Sequence, residues 1–199
     1  NTGSGVAQMT IGDKSTGSIS NSSFSKTNIY LNASANSSLI GCTFTDAGYP
    51  IWLNDGALPS ISGNTYSGTT NQGIKLAGAI YASWTIPNYG LPYYVDGDVY
   101  VNVDNAGLKI ADGNTLNFVG SSSISTYRYS DTLLANNVTF TRIGTGTPSF
   151  NFAGTVPAGS LTNCTLNGVS VIISNGKPTV SGNTFNGQGI ITAFYISGA

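Results

Sequence analysis

The chain has no histidine and no glutamate, and only seven Lys and Arg against eight Asp, so that 8% of its 199 residues are charged and the net charge is −1. Without histidine, acid–base schemes that depend on imidazole are excluded. Seven scattered basic residues make no stripe of the kind that tracks a phosphate backbone, which argues against nucleic-acid binding. No apolar run is long enough to span a membrane, and no signal-peptide pattern is present. Disorder is excluded from the other direction, because 40% of the residues are hydrophobic and the net charge is close to zero. The polar positions are dominated by Ser, Thr, Asn and Gly, a surface chemistry that points to an extracellular or cell-surface protein. The chain starts abruptly at Asn1, as a processed mature protein or an excised fragment would.

Against this sparse background one six-residue phrase recurs. Its last residue is Phe24, Phe44, Tyr66, Leu116, Phe140, Leu166 and Phe185, and the residue five places earlier is Ile19, Leu39, Ile61, Ala111, Ala135, Leu161 and Val180. In one straight strand an odd offset would put the two apolar side chains on opposite faces. If both are buried, the chain bends between them, and the fourth slot, occupied by Cys42 and Asn64 in two copies, is the expected bend residue because Asn tolerates left-handed backbone. Spacings near 20 to 26, with one gap of 50 between Tyr66 and Leu116, are the signature of a solenoid.

A second strand follows each phrase with period-two alternation: Ile29-Tyr-Leu31, Ile51-Trp-Leu53, Ile74-Lys-Leu76, Phe150-Asn-Phe152, Val171-Ile-Ile173 and Ile190-Ile-Thr192. The middle residue of each points outward, which puts Trp52, Lys75 and Asn151 on the surface. No window carries a helical period. The expectation is an all-β parallel β-helix of roughly eight coils forming a single domain over residues 1–199, with irregular, longer-looped coils at about 81–152. Cys42 and Cys164 fall about five coils apart. At about 4.8 Å per coil they are too distant for a disulfide and are expected as buried free thiols.

The phrase and the strand after it resemble the right-handed parallel β-helix repeat of the pectin-lyase-like superfamily. Residues 99–140 are also similar to the repeats of large secreted bacterial and archaeal surface proteins. The resemblance implies the right-handed architecture and leaves activity open, because that superfamily spans lyases, hydrolases, phage spikes, adhesins and inert scaffolds. Its enzymes use carboxylates, often with calcium, beside a basic residue or histidine. Here Asp55, Asp96 and Asp112 each precede Gly, a turn signature. Asp96, Asp98 and Asp104, with Asp112 near them, are the one acidic group that could gather calcium.

Three surface features are candidates for function. Tyr81, Trp84, Tyr89, Tyr93, Tyr94 and Tyr100 gather in a loop stiffened by Pro87 and Pro92, suited either to stacking sugars or to packing on its own coil. Trp52 is a further outward aromatic. Of five N-x-Ser/Thr sequons, at Asn21, Asn32, Asn36, Asn137 and Asn163, only Asn32 and Asn36 lie where a glycan is expected, and Asn163 is expected inside a buried phrase. Neither end carries an evident polar cap. Val6, Met9 and Ile11 at one end, and Ile190, Ile191, Phe194, Tyr195 and Ile196 at the other, form apolar strands suited to end-to-end contact. The reading that follows is a non-enzymatic extracellular structural protein, with self as partner, assembling into a filament or surface layer. The alternatives are a polysaccharide-binding adhesin or phage-spike module using the Tyr81–Tyr100 loop, and below that a polysaccharide lyase.

Overall fold

A computed structural model describes residues 7–12, 15–32, 37–126, 131–153, 159–174, 177–187 and 191–193. Every regular element among them is a β-strand, and the chain winds as a right-handed parallel β-solenoid of about eight turns. It packs as two compact units, Asn1–Lys75 and Leu76–Ala199.

The first unit contains β1 (Ala7–Ile11), β2 (Ser18–Ser20), β3 (Ser23–Ser25), β4 (Thr27–Leu31), β5 (Ser38–Ile40), β6 (Thr43–Thr45), β7 (Ile51–Leu53), β8 (Ser60–Ser62) and β9 (Thr65–Ser67), and β10 (Ile74–Ile80) spans its boundary. Three parallel sheets form its walls: β1-β4-β7, β2-β5-β8 and β3-β6-β9. Their registers put like residues over like. Ile19, Leu39 and Ile61 make one internal column, and Phe24, Phe44 and Tyr66 another. The rings of the second column stack at 5.2 and 5.6 Å between centroids with interplanar angles of 20° and 13°. Such offset stacks add about 0.5–1.5 kcal/mol per pair beyond the area they bury.

The second unit holds β11 (Trp84–Ile86), β12 (Tyr93–Val101), β13 (Gly107–Ile110), β14 (Thr115–Val119), β15 (Ser123–Thr126), β16 (Thr132–Asn136), β17 (Thr139–Ile143) and β18 (Ser149–Phe152). It continues with β19 (Gly159–Thr162), β20 (Thr165–Asn167), β21 (Ser170–Ile173), β22 (Thr179–Ser181), β23 (Thr184–Asn186) and β24 (Ile191–Ala193). Its walls are β11-β13-β16-β19-β22, β12-β14-β17-β20-β23 and β12-β15-β18-β21-β24. Long β12 serves two walls in turn, pairing with β14 through Tyr93–Val95 and with β15 through Val99–Val101.

The bend inside the phrase is real, but it lies one residue earlier than expected. The third slot carries the left-handed backbone: Asn21 (φ 50), Gly41 (φ 64), Gly63 (φ 63), Gly113 (φ 76), Asn137 (φ 52), Asn163 (φ 54) and Gly182 (φ 67). Every occupant is Gly or Asn, the residues that reach this conformation at least cost. The fourth slot points into the corner instead. There Asn64 Oδ1 accepts the Cys42 N–H at 2.8 Å while its Nδ2 donates to the Leu39 carbonyl at 2.9 Å. Asn183 repeats the pair one for one, with the Cys164 N–H at 2.8 Å and the Leu161 carbonyl at 2.7 Å. A backbone N–H turned inward at a corner has no strand partner, and the amide of the next coil supplies one.

Cys42 and Cys164 are buried and free, as the spacing requires. Burial pushes the Cys164 thiol above its ordinary pKa, and its Sγ lies 3.1 Å from the Thr162 carbonyl. Both are small corner fillers with weak donors, not nucleophiles.

Two further registers differ from the sequence reading. Ile110, not Ala111, pairs with Ala135 and continues the column Ile86, Ile110, Ala135, Leu161, Val180. That bend has one extra residue, and Ala111 is only half-buried. At the far end Val171 pairs with Ile191, so Ile191 takes the inward position expected of Ile190, which lies outside the described residues.

The bend makes a quantitative prediction. A Cβ on Gly41 would lie 2.7 Å from Asn21 Oδ1, whereas one on Gly63 meets nothing nearer than the Gly41 N at 3.7 Å. Both positions carry the left-handed cost, and the exposed Asn21 amide beside Gly41 can swing aside, so Gly63→Ala and Gly41→Ala should each lose about 1–2 kcal/mol. Urea unfolding of the two variants side by side gives the comparison.

Candidate functional site

The gap of 50 residues between copies of the phrase contains a coil with an enlarged first bend. Ile86 and Tyr93 hold the two inward positions, and residues 87–92 are extruded between them. The extrusion is stapled from both sides. Asn88 Oδ1 accepts the Gly90 N–H at 2.9 Å, closing an Asx turn, and Tyr93 Oη donates to the Pro87 carbonyl at 2.7 Å.

This geometry divides the aromatic group. Trp84 faces inward in register with Leu108 and is 4% exposed, and Tyr93 is fully buried. Neither can offer a face to a ligand. The period-two pattern of Trp84-Thr-Ile86 put Trp84 inward, and the expectation of an aromatic platform overlooked it. Tyr89 and Tyr94 are half-buried, and burial pushes the Tyr89 phenol up to about 12. Tyr81 is 58% exposed. The loop is therefore mostly packed on its own coil.

Trp52 has a structural environment of its own. Its ring meets Tyr30 edge-on at 4.9 Å, and Lys75 Nζ lies 4.3 Å from its centroid and 5.3 Å from that of Tyr49. Beside them Asn54 Nδ2 donates to Tyr30 Oη at 3.0 Å and to Asn32 Oδ1 at 3.3 Å. The cation and the ring form an outward ladder on the first unit, worth about 0.5–1 kcal/mol for a partly exposed pair. Trp52 Nε1 is buried without an acceptor among the described residues.

The remaining candidates are distributed as follows. Asn32 is half-buried in that amide ladder, and Asn36 lies outside the described residues. Asn163, expected inside a buried phrase, is exposed, because the third slot of the bend faces solvent. Asp98 is exposed and accepts from the Ser123 N–H at 2.9 Å and from Ser123 Oγ at 2.8 Å. No group of three or more His, Cys, Asp or Glu gathers among the described residues. Met9 and Ile191 are 42% and 50% exposed, and Ile11 is half-buried. Val6, Ile190, Phe194, Tyr195 and Ile196 lie outside the described residues.

The walls also carry two open grooves that the sequence reading missed. In the first unit Thr16, Gly17, Ser18, Ser37, Ser38 and Ser60 with Leu58 line about 440 Å3. In the second, Lys109, Asp112, Leu134, Asn136 and Ser160 lie around about 320 Å3, over a floor that includes Ile110 and Ala135. Both arise from stacking, since residues about one coil apart in sequence become neighbours.

The fold defines a class, the right-handed parallel β-helix. Residues 1–85 match the family described as right handed beta helix region, in agreement with a pectin-lyase-like architecture. Neither the curated proteins nor the solved structures searched include a match to this chain.

Two outcomes follow. With Trp52→Phe, Trp84 becomes the sole tryptophan, and its emission should be blue-shifted and resist iodide quenching; a solvent-like spectrum would contradict the burial. In alkali, Tyr66 and Tyr89 ionise near pH 12 when folded, against about 10 when unfolded. Their contribution is intact below pH 10 and lost as the pH rises toward 12, so phenolate absorbance and loss of structure should appear together across that window.

Proposed function

We propose that this chain is a non-enzymatic, extracellular structural protein whose β-helical coils stack end to end on further copies of itself. The observation that carries the proposal is the state of the core columns at the outermost described strands. Met9 in β1 is in register with Ile29, which is fully buried, yet Met9 is 42% exposed. Ile191 in β24 is in register with fully buried Val171, yet is 50% exposed. Each belongs to an apolar column that continues inward, and each of these strands pairs on one side only among the described residues. An open column beside an unpaired strand edge favours addition of another strand. Two different surfaces meeting head to tail make a heterologous contact, which propagates as a filament. Scarce charge supports the same reading, because little repulsion opposes close stacking.

The β-helix fold occurs in enzymes and in non-enzymes, so the non-catalytic reading rests on the side chains. The adhesin or phage-spike alternative through the Tyr81–Tyr100 loop has weaker support, since Trp84 and Tyr93 are core residues. A polysaccharide lyase would need a convergence of carboxylates that Asp96, Asp98 and Asp104 do not make. Light scattering and negative-stain electron microscopy across a concentration series test the proposal. Growth into linear particles is expected, with Met9→Asp and Ile191→Asp each suppressing elongation. A monodisperse monomer at high concentration would overturn it.

A further inference from the structure

We infer that Asn186-Gly187 is a site of spontaneous deamidation, and that the same dipeptide at Asn167-Gly168 is shielded from it by the coil stacked on it. The two pairs occupy the same place in successive coils. Asn167 ends β20, Asn186 ends β23, and the two residues are partners in register. The glycine after each turns the corner in left-handed backbone, Gly168 at φ 70 and Gly187 at φ 78. Gly187 lies against Gly168, since a Cβ on it would meet the Gly168 N at 3.7 Å and Cα at 3.9 Å.

What differs is the fate of the glycine N–H. At such corners the N–H that follows the strand is donated to a carbonyl of the next coil: Lys26 to Thr45 at 2.9 Å, Asp46 to Ser67 at 3.0 Å and Gly168 to Asn186 at 2.8 Å. β23 pairs only with β20, and among the described residues the Gly187 N–H has no acceptor. The side chains follow the same asymmetry. Asn167 is held at both ends, its Nδ2 donating to Thr141 Oγ1 at 3.2 Å and its Oδ1 accepting from Asn186 Nδ2 at 2.9 Å. Asn186 is exposed and makes only the second of these bonds among the described residues.

The reaction needs both of those freedoms. The Gly187 nitrogen attacks Asn186 Cγ and bonds to it, the Cγ–Nδ2 bond breaks, and ammonia leaves with the proton that the glycine nitrogen gives up. Water then opens the cyclic imide at either carbonyl, leaving aspartate or its β-linked isomer. Glycine favours the attack, because no Cβ shields its nitrogen or restricts the rotation that brings it to Cγ. A nitrogen tied to the neighbouring coil must first open locally, and opening is easiest at the ends of a repeat array.

The product carboxylate faces Asn167 Oδ1, acceptor against acceptor. The ladder recovers only if the Asn167 amide turns over, accepting from the Thr141 hydroxyl and donating to the new carboxylate. The change also adds a negative charge to the outermost described coil of a chain whose net charge is −1. On the end-to-end reading, which this consequence rests on, Asn186 is a clock. A copy seated on that coil accepts the Gly187 N–H as Asn186 accepts that of Gly168, whereas an aged, unseated copy presents a carboxylate that stacking must desolvate.

The test is incubation of the intact chain at mildly alkaline pH and low concentration, followed by peptide mapping. Fragment ions separate Asn186 and Asn167 from Asn175, whose own Asn–Gly pair lies outside the described residues. In the folded chain Asn186 should convert at least about tenfold faster than Asn167, and the two rates should converge in concentrated urea. Equal rates in the folded chain, a ratio that survives unfolding, or no conversion at Asn186 would each overturn the inference. In pelleted filaments Asn186 should convert as slowly as Asn167, and unprotected conversion there would overturn it too. If no filaments form, end-to-end assembly fails by itself, and the ratio of the two rates in the monomer still decides the site.

Discussion

The structure depends on turning corners between the three walls of each coil without leaving a backbone amide unpaired inside. Straight parallel strands satisfy their own N–H and C=O groups, but a corner rotates one N–H into an apolar interior where the loss is about 1–3 kcal/mol. The phrase solves both halves of the problem in adjacent slots. A left-handed Gly or Asn makes the turn, and an inward side chain, an amide or thiol in five of the seven copies, fills the space behind it. Side-chain bonds therefore run from coil to coil at the corner, where the strand ladder is interrupted.

That division of labour also accounts for the poverty of the sequence. Stability comes from columns of identical or similar residues, such as Phe24 on Phe44 on Tyr66, and from amide ladders such as Asn186 on Asn167. Neither needs charge. Each coil is held mainly by its two neighbours, the nearest-neighbour regime of repeat proteins. The cation on Trp52 is an exception, in which one of few lysines covers an aromatic that the wall leaves outside.

How much of this was legible in the amino-acid order follows from the length of the elements. The apolar columns were, because their residues recur at every copy of the phrase, and so were the free thiols, because their coil separation is large. The left-handed slot is the third, Gly or Asn in every copy, one before the fourth slot to which the tolerance of Asn64 for left-handed backbone points. Ala111 and Ile190 were each assigned to a column that Ile110 and Ile191 occupy. In strands of three or four residues, alternation alone does not distinguish neighbouring registers, and only the pairing of successive coils decides. The groove beside Leu134 had no linear signature at all. Its residues come from three coils and meet only through stacking.

The first bend also has no fixed length. Ile61 to Tyr66 is an offset of five, Ile110 to Leu116 six, and Ile86 to Tyr93 seven, yet all three place their end residues in inward positions. The corner thus absorbs insertions and deletions that would shift every side chain to the wrong face if they fell within a strand. Lineages of such solenoids can accumulate novelty at this point without renegotiating the core, and the extruded Pro87–Pro92 segment and the bend residue Asp112 both sit there. The corner is where the architecture leaves room for divergence.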